Sequence, residues 1–356
     1  MSDLLNYLDN YNRPITPHLN VADQMLLSRL PFFPFENIVS ANSDNQIYLP
    51  EALKLLTNKL AANSDHLLLH NDRILIEKLS NSFRFKKIAL SDFQVHHSDD
   101  LQTQYAAISI TIEPSLTIIA FRGADGTQLG WQADMSLVYT PEDTSWQTFS
   151  LSYLSQVAST ISGPLQLIGF SKGGSMATAA ALKTTASIQD HLQQVVNFDG
   201  PQGSKLPNLS APLQSIFYTY LPQLPFFGLG SNYPQSPQII SSQSTGIWQH
   251  DLYSWQIPDT SPTVLGMASS TNPFLNQSLR KWLCSLKQND ARLFINTFWD
   301  ILNDTQAVTV NDLIKHWQQV TKLFQNQSKA WDPVAQEMGQ KTLQAVFQII
   351  VTFTRF

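Results

Sequence analysis

The chain is 356 residues long, 43% of them apolar and 14% charged, with a net charge of −5. That is enough chain for a large core and one or two domains, and the composition excludes a disordered polypeptide. The acidic balance and the lack of a long basic stretch exclude nucleic acid as the expected partner.

The one cysteine, Cys284, stands in WLCSL. It allows no intrachain disulfide and no cysteine-built zinc site, and it fits a reducing, cytoplasmic compartment. Its plain role is that of a small buried apolar residue. The opening MSDLLNYLDNYN has neither a basic start nor an apolar h-region, so it does not read as a secretory signal. No apolar run reaches the roughly 20 residues that span a bilayer. Integral membrane association is therefore not expected, and peripheral membrane contact stays open.

Residues 1–100 read as a helical extension packed on the core. Val21–Leu30 has helical spacing and stops at the aromatic, proline-rich corner Pro31–Phe35. Glu51–Ala62 and Asp65–Leu79 read as two more helices, and Phe83–His97 fits a helix and a strand equally. His96 and His97 stand in the polar stretch QVHHSDD, where solvated histidines are expected rather than a metal or catalytic pair.

From residue 103 the period changes to two. TQYAAISITIE alternates, Pro114 and Ser115 turn, and LTIIAFR follows as a near-continuous apolar run. That is a hairpin feeding a central strand. It ends in the tight loop Gly123–Gly126, at the strand end where open α/β sheets place their ligand crevices. A loop or short helix follows over 130–137, then a helix over 145–161. Leu165–Ile168 reads as the end of a buried strand. After Gly169-Phe170-Ser171-Lys172-Gly173 come small residues that suit a helix to about Ala186. Gln193–Phe198, Ser215–Leu221 and Pro237–Ser242 are further strands.

The stretch 204–235 is rich in Pro, Leu, Phe and Tyr and reads as a lid, a pocket wall or ordinary aromatic packing. From Asn272 onward, segments with apolar residues at i, i+3 and i+4 predict a helical C-terminal region. Strands alternating with helices predict an α/β fold with a largely parallel sheet covered on both faces. Its core spans 101–265, between the N-terminal extension and a helical region over 266–356.

Strand, sharp turn and helix with a serine at the tip is the context of the G-x-S-x-G nucleophile elbow. Without that context, a serine between glycines marks only a loop. Gly169 and Gly173 let neighbouring backbone come close, and the helix N-terminus favours negative charge beside Ser171. A serine hydroxyl needs a base, and the base needs an orienting group. In α/β-hydrolases these follow the serine in the order acid, histidine. Three histidines follow Ser171. His191 ends the elbow helix and His316 sits in an amphipathic helix. His250, in GIWQHD just past the last strand, is the expected base. Asp199, at a strand end before Gly200-Pro201, is the expected acid, with tying down that turn as its plainer role. Asp251 and Asp259 compete for the part. The oxyanion hole should use the backbone N–H of Lys172 and one from Ala124 in the glycine loop. The Lys172 side chain is expected to face solvent. Arg122, Asp125, Trp131 and Asp134 would knit the loop together. No cofactor and no metal is called for.

FRGADGTQLGWQADMSL, LIGFSKGGSMATAAA, VVNFDGP and GIWQHDLYSW occur in that order with fitting spacing. Together they resemble the bacterial Mbeg1-like family. The VADQMLLSRLPF opening and the helical C-terminus extend the resemblance over nearly the whole chain. It implies an α/β-hydrolase fold, kinship with class 3 lipases, and a serine lipase or esterase acting on a small-molecule or lipid ester. The FRG loop is similar to the oxyanion loop of those lipases. There a Ser or Thr commonly follows the glycine; here Ala124 leaves only a backbone donor. Phe170 stands where the usual elbow has histidine, a side chain outside the mechanism. Ala124 also keeps open a competing expectation, a non-catalytic hydrolase-like binding or scaffold protein. A third is a peptidase or acyltransferase with the same triad.

Overall fold

A computed structural model describes residues 3–62, 70–98, 103–112, 116–122, 145–202, 207–223, 225, 231–244, 249–266 and 297. Beyond these it describes 316–331, 333, 336–337, 339–340 and 343–344. The longer helices are α1 (Leu4–Asn10), α2 (Val21–Leu27), α3 (Leu49–Ala62), α4 (His70–Asn81), α5 (Ser145–Ala158), α6 (Lys172–Lys183) and α7 (Trp317–Gln327). Among the described residues eight strands make one sheet, joined in sequence order. They are β1 (Ile47–Tyr48), β2 (Ala89–Ser98), β3 (Thr103–Ile112), β4 (Leu116–Arg122), β5 (Leu165–Phe170), β6 (Leu192–Phe198), β7 (Phe217–Pro222) and β8 (Gln238–Ile240).

The connections set the strand sense. β3 and β4 form the expected hairpin, antiparallel with Ile112 opposite Leu116. β4 to β5 and β5 to β6 cross over through α5 and α6, and from β4 to β8 every pair is parallel. A short turn suffices for antiparallel neighbours, whereas a parallel pair needs a long crossover. The architecture is α/β and hydrolase-like, with an antiparallel first half and a parallel second half.

Sheet order also decides what must cover each face. Parallel crossovers are right-handed, so crossovers that all step in one direction put their helices on one face. There Trp146, Tyr153, Leu154 and Met176 of α5 and α6 share a core with Ile119, Phe121 and Leu167. The opposite face is covered by the N-terminal segment, where Leu26, Phe33, Leu53 and Leu75 share a second core with Ile118, Ala120, Ile168 and Val196. Alternate residues of β4 thus belong to alternate cores, and all seven are buried. That is why the strand reads as one apolar run rather than an alternation.

The first hundred residues are not wholly helical, as the sequence suggests: β1 and β2 both join the sheet there. β2 resolves the ambiguity at Phe83–His97 in favour of strand from Ala89 onward. Its pairing slips between Ser91 and Gln94, and Asp92 takes φ 52. A bulge adds one residue and breaks the two-residue period, which hides the strand from a pattern reading. Two buried ion pairs hold the segment together. Arg84 Nε donates to Asp23 Oδ1 at 2.7 Å, and Arg29 Nη2 donates to Asp72 Oδ2 at 2.8 Å.

Within 204–235, Phe217–Pro222 is sheet strand β7, so a lid reading is confined to its flanks, and 226–230 lie outside the described residues. Of the C-terminal segments α7 is described, while Cys284 lies outside the described residues. Among the described residues no helix is long and apolar enough to cross a membrane.

Candidate active site

β5 delivers Phe170 to the sheet's upper edge, and the next residue, Ser171, is the N-cap of α6 with φ 56 and ψ −133. That conformation is sparsely populated for a side-chain-bearing residue. The turn is tight because α6 starts directly over the strand. A Cβ on Gly169 would sit 2.1 Å from the carbonyl carbon of Gly173, so glycine is required there. Ser171 N–H donates to Phe198 O on the neighbouring strand and Ser171 O accepts from Gly174 N–H, each at 2.8 Å.

β6 runs parallel to β5 with its last residue, Phe198, opposite Phe170, so Asp199 follows the end of β6 as Ser171 follows that of β5. Four non-glycine residues among those described have positive φ, and two of them are Ser171 and Asp199. Backbone strain of this kind, about 1–3 kcal/mol per residue, persists where the surroundings over-determine it and clusters at functional sites. Asn197 clasps the turn, donating from Nδ2 to Gly200 O at 3.0 Å and accepting Gly200 N–H at 2.7 Å. Asp199 N–H donates to Tyr220 O at 2.9 Å.

The three side chains meet. His250 Nε2 lies 3.0 Å from Ser171 Oγ, and Nδ1 lies 2.6 Å from Asp199 Oδ2. A carboxylate accepts only, so Nδ1 carries a hydrogen toward Asp199, and a neutral imidazole in this place turns the lone pair of Nε2 to the serine hydroxyl. The Asp199 side chain is fully buried, while that of His250 keeps 21% exposure. Burial pushes the Asp199 carboxyl up from its usual range, and the adjoining His250 pulls it part of the way back. Asp199 Oδ1 has no hydrogen-bond partner among the described residues. The imidazole rests on Phe170, with ring centroids 4.7 Å apart. Phe170 therefore supports the His250 ring, a contact its place in the elbow motif does not announce.

Lys172 opens α6, so its N–H stands at the helix start, where backbone donors point outward along the axis. Its side chain does not face solvent as expected. It is 1% exposed, with Nζ 5.2 Å from the Tyr105 ring centroid. The close seat of α6 on β4 and β5 turns that side chain inward. Ala124, with Gly123, Asp125, Trp131 and Asp134, lies outside the described residues; Arg122, just before them, is buried.

The other candidates are elsewhere. His191 is exposed, and its carbonyl accepts from Leu165 N–H at the opposite end of β5. At 3.3 Å per residue that is about 20 Å from Ser171. His316 is exposed before α7, and His96 is exposed on β2 with its ring 5.7 Å from that of Tyr105. Asp251 Oδ1 accepts Tyr253 N–H at 3.0 Å and caps a 3-10 turn, and Asp259 is exposed. No group of three or more His, Cys, Asp or Glu that could hold a metal ion occurs among the described residues.

A family model described as Mbeg1-like matches residues 79–300. No curated protein and no solved structure matches the chain.

Proposed function

We propose that this chain, which belongs to the Mbeg1-like family, is a serine hydrolase that cleaves carboxylic or lipid acyl esters. The observation that carries the reading is the unbroken line from Ser171 Oγ through His250, at 3.0 Å and 2.6 Å, to Asp199. These contacts are within the reach that proton transfer requires.

Ser171 Oγ attacks the ester carbonyl carbon as its proton passes to His250 Nε2. Asp199 holds the imidazole in the tautomer that can accept it and stabilises the imidazolium. The oxyanion of the tetrahedral adduct takes a hydrogen bond from Lys172 N–H and one from the loop bearing Ala124. Collapse breaks the bond to the alkoxide, which leaves as alcohol with the proton from Nε2. Water then attacks the acyl-Ser171 carbonyl, gives a proton to Nε2, and the acid departs as Ser171 recovers its hydrogen. A reducing, cytoplasmic setting is part of the proposal and rests on the single cysteine.

The test is labelling by a fluorophosphonate together with hydrolysis of short-chain p-nitrophenyl esters. Both are expected in the unaltered chain and lost in Ser171→Ala. Labelling that persists in Ser171→Ala refutes the nucleophile. Absence of labelling and turnover in the unaltered chain leaves a non-catalytic binding protein.

A further inference from the structure

Behind the His250 loop lies a buried charge cluster that the chemistry above does not use. Arg29, 4% exposed, follows α2 in the N-terminal segment. Its Nε donates to Asp72 Oδ1 at 3.1 Å and its Nη2 to Oδ2 at 2.8 Å. Tyr253 Oη donates to the same Asp72 Oδ1 at 2.7 Å. The guanidinium carbon stands 3.9 Å from the Phe32 ring centroid, 5.6 Å from that of Phe170 and 5.8 Å from that of Tyr253.

Two of these rings lead to the catalytic pair. Phe170 directly precedes Ser171 and supports the His250 ring at 4.7 Å. Tyr253 stands three positions after His250, in the 3-10 turn Leu252–Ser254. Trp255 Nε1 closes that loop by donating to Gln249 O at 2.8 Å. One cation thus stands within 5.8 Å of a ring on the elbow and of a ring beside the His250 loop at once.

Stability alone is a poor reason to bury such a pair. Desolvation of two charges largely offsets their attraction, and well-packed apolar replacements are often as stable. Direction is what the pair adds. A bidentate fork on a carboxylate fixes the plane of the guanidinium. That plane seats Phe170 and, through Asp72, the Tyr253 hydroxyl. We propose that Arg29 is a positioning residue that holds the His250 imidazole on the line between Ser171 and Asp199, acting through Phe170 and the Asp72–Tyr253 link. The inference rests on the hydrolase reading of that site.

Tyr253→Phe removes the link and keeps the Arg29–Asp72 pair, so it is the primary test. Arg29→Lys, which keeps the charge and loses the fork, is the second. In both, kcat on p-nitrophenyl esters is expected to fall about 10-fold with KM unchanged, less than the roughly 100-fold that a 1 Å misplacement produces. The fraction of chains labelled at completion by fluorophosphonate should stay the same, which a merely structural loss would lower. NMR of histidine labelled with nitrogen-15 gives a readout independent of turnover. The Nδ1–H resonance of His250 should be sharp in the unaltered chain and broadened by solvent exchange in both variants. An unchanged kcat together with an unchanged resonance overturns the proposal. If the unaltered chain hydrolyses no ester and Ser171 is not labelled, the hydrolase reading fails, and the resonance alone decides whether Arg29 positions His250.

Discussion

Ser171 holds its rare backbone conformation at a turn packed too closely for a Cβ on Gly169. In Gly169→Ala the new Cβ would meet backbone on the facing turn, at 2.1 Å from Gly173 C and 2.5 Å from Gly174 N. Neither atom is the end of a flexible side chain, so the elbow itself must open. Ser171 then moves off His250, and an error of about 1 Å suffices for a roughly 100-fold loss. Gly169→Ala is expected to lose at least that much in fluorophosphonate labelling rate, measured on the folded fraction. Asp199→Asn separates orientation from packing. The side chain keeps its size, but the amide can donate to Nδ1 and turn the imidazole into the wrong tautomer. In the serine proteases that change costs about 10⁴ in kcat with the geometry intact. The same order of loss is expected here. Because burial already works against the Asp199 charge, the melting temperature of Asp199→Asn should not fall. A variant that lost stability in proportion to activity would make Asp199 a structural residue.

Elements of the N-terminal segment hold one face of the sheet through packing and through pairs such as Arg84 with Asp23. Arg84 Nη2 lies 2.5 Å from Asp23 Oδ2, and Tyr7 Oη donates to Asp23 Oδ1 at 2.9 Å. Arg84→Ala would strand the Asp23 carboxylate in the core, a change that costs about 3–5 kcal/mol. Equilibrium denaturation should read that loss, and a change below about 1 kcal/mol would mean the pair is solvated. The sequence makes some of this legible and hides the rest for definable reasons. β4, β5 and β6 are apolar runs and were readable as strands, since both faces are covered. Ser171, Asp199 and His250 could be named although Ser171 and His250 stand 79 positions apart, because motif order links them. Arg29 and Asp72, 43 positions apart, belong to no catalytic motif, and an arginine near the end of a helix reads as surface. Lys172 misleads for the same reason. Lysine is rarely buried, and only the seat of α6 on the sheet turns its side chain inward. In β2 the bulge at Asp92 erased the period that would have announced a strand.

At the scale of the whole molecule, two cores on opposite faces of one sheet bury acids as well as apolar side chains, and this sets how stability responds to pH. Burial pushes the carboxyls of Asp92, Asp199 and Asp251 above their usual range. At Asp92 a hydrogen bond from Ser91 partly opposes that rise and the charge of Asp44 adds to it. A carboxyl with a raised value in the fold binds more protons folded than unfolded, between the ordinary value near pH 4 and its own. Stability therefore falls as pH rises through that window, and what these acids contribute against the fold is fully present above it. Asp92→Asn isolates the effect away from the Ser171–His250–Asp199 cluster. Asparagine tolerates the positive φ of 52 at this position, and its carbonyl can still accept from the Ser91 hydroxyl. It never carries the charge. The variant is expected to melt higher than the unaltered chain at pH 7. The gap should close as pH falls through about 4 to about 3, below which Asp92 is protonated in both folded and unfolded chains. Comparing two chains that differ by one amide cancels every other titrating group. A gap that widened on acidification would mean that the folded Asp92 carboxylate is favoured, and that the bulge of β2 binds the charge instead of bearing it.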